Sequence, residues 1–239
     1  MGMRKNILAL LFLLVGFASF GQTPLDELLG ADGAVLGNYT YINSTYKASA
    51  TTSTTTNAID IRNANLIVLL CTYINGATLT VTDNDSHTFT FVRADVNSAS
   101  QAIYYCYLPT PSTNSAWTAT VSSALVANSI YAMAFSGAPS SPLDQSTGTI
   151  GNGSTTSAIP LTPSAANALT ITLVNSYVAA TPPTVSSPFT VTNSNALIGG
   201  SSYAAGAAYN IQTTLVSSSP IWTLGSTVNY TVSQVIFKK

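Results

Sequence analysis

The chain has 239 residues with seven Lys or Arg, eight Asp or Glu and one His, so only 6% of it is charged and its formal net charge is −1. That balance excludes nucleic acid and an anionic membrane surface as partners, since both call for a basic stripe. With 46% hydrophobic residues among many Ser, Thr, Asn and Ala, the chain can bury a core, which a disordered polar tract cannot.

Arg4 and Lys5 precede an apolar run from Ile7 to Phe17, followed by the small residues Ser19 and Gly21 before Gln22. This reads as a secretory signal peptide over residues 1 to 21, because a membrane anchor would want about 20 apolar residues. The sequence therefore predicts an exported product that is secreted, surface-bound or periplasmic, and that touches a membrane only through an uncleaved signal. Removing 21 of the 239 residues leaves 218, with five basic side chains against eight acidic ones. That length fits one β-sandwich domain over residues 22 to 239.

Period-two patterning predicts strands at Tyr39 to Tyr46, Ala58 to Ile61, Leu66 to Tyr73, Thr78 to Thr82, Thr88 to Arg93, Ala102 to Leu108, Trp117 to Val121 and Ile130 to Phe135. A loop is expected from Ser136 to Gly153. The series resumes at Ser157 to Leu161, Leu169 to Tyr177, Phe189 to Thr192, Tyr203 to Gln212 and Val228 to Phe237, with breakers between at Asn75-Gly76, Pro109, Pro111, Pro182-Pro183 and Ser219-Pro220. No helical period lasts three turns. The expected fold is all-β: a two-sheet antiparallel sandwich, jelly-roll-like.

The chain also repeats itself. Ala58-Ile59 leading to Asn65 and Tyr73 matches Ala158-Ile159 leading to Asn167 and Tyr177, Phe89-Thr-Phe91 matches Phe189-Thr-Val191, and Trp117-Thr118 matches Trp222-Thr223. The match predicts two related halves, near 35 to 135 and 150 to 239, each a Greek-key unit with its own buried tryptophan.

Cys71 and Cys106 lie in apolar runs, where two readings stand: a disulfide closing a loop of about 35 residues, or two buried thiols that pack as small hydrophobes. The densest polar cluster is Asp83-Asn84-Asp85-Ser86-His87. Asp83 and Asp85 offer oxygens to Ca²⁺, but position 88 is Thr where a calcium loop of the EF-hand type has Gly, so a hairpin turn is the expected reading and no cofactor is required. His87 is the single histidine and Glu27 the single glutamate, which leaves little from which to build an acid–base pair. The Ser44-x-x-Lys47 spelling lacks the partner motifs of penicillin-recognising enzymes.

Aromatic side chains are the richer resource. Strand alternation puts Tyr105 and Tyr107 on one face with Ile103, and Tyr104, Cys106 and Leu108 on the other. In a two-layer sandwich one of these faces meets solvent, making Tyr105 and Tyr107 candidate contacts for a sugar ring or partner protein, with Tyr39 and Tyr41 as a second patch.

The order of features from Asn65 to Leu169 resembles a loosely defined group of bacterial secreted and cell-surface β-sandwich modules. It is carried by Leu66 to Tyr73, the Asp83 to Phe89 turn, Ile103 to Leu108, Phe135-Ser136-Gly137, Ser141-Pro142-Leu143-Asp144 and Leu161-Thr162-Pro163, with Asp85-Ser86-His87 departing from the group's Gly-Asn turn. The resemblance implies the sandwich fold and no particular chemistry. Together these features suggest a non-catalytic surface module that is glycan-binding or adhesive, ahead of a self-assembling structural component, and of a hydrolase.

Overall fold

The computed structural model describes residues 38–73, 77–123, 128–177, 181–196 and 203–239. The signal segment with its cut before Gln22, Glu27 and the Asn75-Gly76 breaker lie outside the described residues.

Leu66–Tyr73, one apolar run without alternation, is a strand buried at every position, as befits a central strand covered on both faces. It is β3 of eight strands in the first half: β1 (Thr40–Ser49), β2 (Ser53–Thr55), β4 (Leu79–Asp83), β5 (Thr90–Asp95), β6 (Ser100–Tyr107), β7 (Ala119–Ser123) and β8 (Asn128–Ser136) complete it. They form a five-stranded sheet of order β1-β8-β3-β6-β5 and a three-stranded outer sheet of order β2-β7-β4. Ile67, Leu69 and Cys71 of β3 pack outward against Trp117, Ala119 and Val121 beneath this outer sheet. The half is thus a jelly roll in itself, with β5 attached to the edge of the large sheet.

The second half follows the same plan with fewer breaks. Its strands are β9 (Leu143–Ser157), β10 (Ala168–Tyr177), β11 (Thr184–Val185), β12 (Thr190–Ala196), β13 (Tyr203–Gln212) and β14 (Ile221–Phe237). The order β9-β14-β10-β13-β12 reproduces that of the first large sheet, and β11 takes the place of β4. Here β9 and β14 each run through both layers. Their register slips between Thr223 and Val228, where Gly225 adopts φ +75°, and beyond that bend the pair covers the outer face of its own sheet. Trp222, Leu224 and Val228 close a small core there on Val174 and Ala208. The indole lies so close to Gly206 that a Cβ would come within 2.6 Å of Cζ3.

Irregularities repeat as well. A β-bulge between Phe91 and Arg93 on β5 recurs between Val191 and Asn193 on β12, and one between Tyr41 and Asn43 on β1 recurs opposite Phe237 on β9. Both tryptophans are fully buried, each in the outer core of its own half. Duplication therefore extends to the hydrogen-bond register. The Asn65–Asn167 match is shifted by one residue, since Leu66 and Leu169 pair equivalently with Phe135 and Phe237.

The large sheets face each other through Leu66, Val68 and Leu70 on one side and Leu169, Ile171 and Leu173 on the other. β1 lies against β12, and β9 against β5. Phe135 meets Tyr209 edge-on at 5.5 Å, while Phe237 meets Tyr105 edge-on at 5.5 Å. Each half thus presents the same surface to the other, as in an isologous dimer.

The architecture is an all-β antiparallel sandwich, with an outer layer on each half added to the expected pair of sheets. The strands expected at Ala58 to Ile61 and Ser157 to Leu161 reduce to isolated bridges at Ile59 and Leu161, two further expectations change, and the cysteine alternatives are decided. Residues 143 to 153, expected in a loop, belong to β9. Cys71 and Cys106 are free: they share the outer face, but Cys106 is opposite Ile67 and Cys71 opposite Ala102, four residues or roughly 13 Å apart along the ladder. Both faces of β6 are covered, so its tyrosines form no open row.

Candidate functional site

The register puts the starts of β1, β3, β9 and β10 and the ends of β6, β8, β13 and β14 at one pole. Tyr39 ties the two halves together there by donating its hydroxyl to the Lys238 carbonyl at 2.9 Å, and Lys239 Nζ donates to the Gly137 carbonyl at 2.8 Å. The loops that cap this pole in the first half border two depressions of about 550 and 610 Å³ that meet at Ser112 and Thr113. Both are shallow and open to solvent.

The deeper architecture of the second depression rests on Asp83 at the end of β4. Its side chain is fully buried. The carboxylate accepts the backbone N–H of His87 at 2.9 Å, the His87 Nδ1–H at 2.5 Å and the Trp117 indole N–H at 2.8 Å. A carboxylate out of water needs such donors, and they lock the turn in which Ser86 adopts φ +61°. His87 is left with Nε2 as its available ring nitrogen, and the residue lines the depression. Across it, Asn114 Nδ2 donates to both oxygens of Asp85 at 2.8 and 3.0 Å, while its Oδ1 accepts the Ala116 N–H.

In the first depression Arg62 grips Asp60 through Nε and Nη2 at 2.5–3.1 Å, and both side chains are exposed. The guanidinium's hydrogen bonds hold the Asp60 carboxyl below the usual range. Tyr41 supplies an aromatic wall, with its hydroxyl donating to Ser44 Oγ at 2.7 Å and its ring stacked on Tyr209 at 5.0 Å. Asn43 donates to the Asp60 carbonyl beside it.

The candidates read from sequence are dispersed by this arrangement. Tyr41 lines the site. Tyr39 is buried, and burial pushes its phenol well up. Tyr105 and Tyr107 are half-buried against the core between the large sheets, so they are not an exposed contact row; the two-layer premise that exposed them does not hold. Asp83 and Asp85 serve separate partners, and among the described residues no three His, Cys, Asp or Glu side chains gather as a metal site. Burial raises the thiol of Cys71 and pushes that of Cys106 up to about 11, with nearby Asp83 adding to the latter.

Asp60, Arg62, Ser112 and Asn114 did not stand out in the sequence. An Asp-x-Arg pair in a chain this poor in charge was the available signal.

Chemically the site offers carboxylate, guanidinium, imidazole, amide and hydroxyl groups around an aromatic wall. Among the described residues no hydroxyl is hydrogen-bonded to the His87 ring. Comparison with family models, characterised proteins and solved structures finds no match for this chain.

Proposed function

We propose that this protein is a non-catalytic, exported interaction module that binds glycans at the loop-rich pole. The observation that carries the reading is the pair of joined depressions, whose polar groups are prearranged by bonds among themselves: Arg62 on Asp60, Asn114 on Asp85 and His87 on Asp83. Sugar hydroxyls both donate and accept, and such fixed amide and carboxylate groups beside a half-buried tyrosine complement them. Fixing those groups in advance lowers the ordering cost of binding.

Self-assembly through sheet edges is less well supported. β1, β5, β9 and β12 are the edges of the two large sheets, and each carries a bulge, a device that discourages edge pairing.

A glycan array probed with residues 22 to 239, followed by calorimetry on the best ligand, tests the reading. The double change Arg62→Ala and Asn114→Ala should weaken that ligand tenfold or more, whereas Tyr107→Ala leaves it within a factor of about three. An array without hits, or a hit indifferent to the double change, would refute it.

A further inference from the structure

The second half carries a depression of about 500 Å³ at the corresponding place, between the β11–β12 connection and the β13–β14 connection. His87 and Ser187 stand 100 positions apart, as do the bulges that follow them on β5 and β12. Thr110 and Thr214, like Asn114 and Ser218, stand 104 apart, as do Ile103 and Ala207, which pair with Leu70 and Leu173. Shared register thus makes this depression the counterpart of the first-half depression lined by His87, Thr110 and Asn114.

Their chemistry differs. No charged side chain lines the second depression; hydroxyls and amides, including Ser187, Thr213, Thr214 and Asn210, share its walls with Ile211, Val216 and a half-buried Phe189. Gln212 braces the floor, accepting the Thr170 hydroxyl at Oε1 and donating Nε2 to the Val216 carbonyl at 3.0 Å. A neutral hollow that mixes hydroxyls and amides with apolar groups and one aromatic ring matches an uncharged sugar better than an ion or a charged peptide.

The two depressions also open at the same pole. Tyr41 lines the first-half depression that joins the His87 depression at Ser112 and Thr113, and its ring stacks on Tyr209, next in sequence to Asn210 of the second-half depression.

We propose that the second-half depression is an additional glycan subsite for uncharged sugars, and that the two halves together grip one polysaccharide chain across the pole. This rests on the glycan reading of the first-half site. Binding at one depression presents the rest of the polymer to the other at high effective concentration, so long chains gain affinity that short ones do not.

The probes are laminarin, xylan and glucomannan, each against its own hexasaccharide, titrated calorimetrically into residues 22 to 239. For the sugar that binds, two hexasaccharides per protein are expected, with the long polymer binding tenfold or more tightly than the hexasaccharide. Thr214→Arg, at an exposed position of the second depression, should reduce the stoichiometry to one and remove the polymer's advantage. The residual hexasaccharide affinity should stay unchanged. A wild-type stoichiometry of one, abolished by Arg62→Ala with Asn114→Ala but unaffected by Thr214→Arg, would overturn the second subsite while the first-half reading stands. Absence of binding to all three sugars would overturn both. A dimer in sedimentation that Thr214→Arg dissolves would overturn the subsite in favour of a docking face between copies.

Discussion

The two seams along which the halves meet are equivalent by fold and opposite in content. Where β1 lies against β12, Tyr46 and Tyr131 fill the space with rings 4.6 Å apart, facing Asn195. Where β9 lies against β5, the positions 102 residues further on are Gly148 and Ser233. The room these small residues leave is taken by Arg93 and Asp95, joined at 2.5 Å, with Ser233 donating to the same carboxylate. A Cβ on Gly148 would overlap that carboxylate. Gln101 completes the network by donating Nε2 to Ser233 Oγ at 2.6 Å. One backbone frame thus accepts an aromatic filling or an ionic one, provided that the volumes on the two strands compensate.

If that contrast holds, the largest effect should come from breaking the ionic seam. Asp95→Ala leaves a largely buried guanidinium and the Ser233 hydroxyl without their acceptor, and should cost roughly 3–5 kcal/mol in urea unfolding, whereas Asp95→Asn, which keeps an acceptor, should cost less. At the aromatic seam Tyr46→Phe should cost under about 1 kcal/mol. Equal losses from Asp95→Ala and Tyr46→Phe would show that the seams are not built differently.

The tryptophans sharpen the comparison at an intermediate scale. Trp117 donates to the buried Asp83, while Trp222 donates to Thr172 Oγ1 at 3.1 Å, a hydroxyl that is itself engaged with the Ser233 carbonyl. Trp117→Phe should therefore destabilise by about 1–3 kcal/mol more than Trp222→Phe, because it strips a donor from a buried charge. Thermal unfolding of the two variants side by side measures the difference.

The smallest effect concerns alkali. Burial pushes the Tyr46 phenol up to about 12 and raises that of Tyr131 further. A phenol whose folded pKa exceeds its unfolded value of about 10 contributes stability that is complete below pH 10 and is lost as pH rises toward the folded value. Stability should fall from pH 10 to 12, and Tyr46→Phe should flatten that fall, because its seam is the titratable one. A pH profile of the urea midpoint identical to wild type would count against this assignment.

Legibility followed burial. β3 and β13 were read from sequence with their observed bounds, since long apolar runs have one structural use. β9 was missed because its Gly, Ser and Thr residues resemble a loop; Gly148 is there to admit the Asp95 carboxylate, a requirement set 53 positions away. The three-residue β2 and two-residue β11 are too short to show a period. Duplication was visible in the tryptophans, but the bulges were not, because a slipped register leaves no compositional mark. For the candidate site, Tyr41 was legible as an aromatic near the start of a strand. Asp60 and Arg62 became meaningful only when the fold brought them to the pole beside Ser112 and Thr113.

The two cysteines have a further use. Both are shut between the large sheet of the first half and its outer layer β2-β7-β4, and neither is bonded to the other. Folding thus requires no oxidant, and a thiol reagent reaches Cys71 only when that outer layer lifts away. The chain carries its own reporter of partial opening: labelling rates at the two sulfurs, taken without added denaturant, would time the detachment of one layer while the second half stays closed.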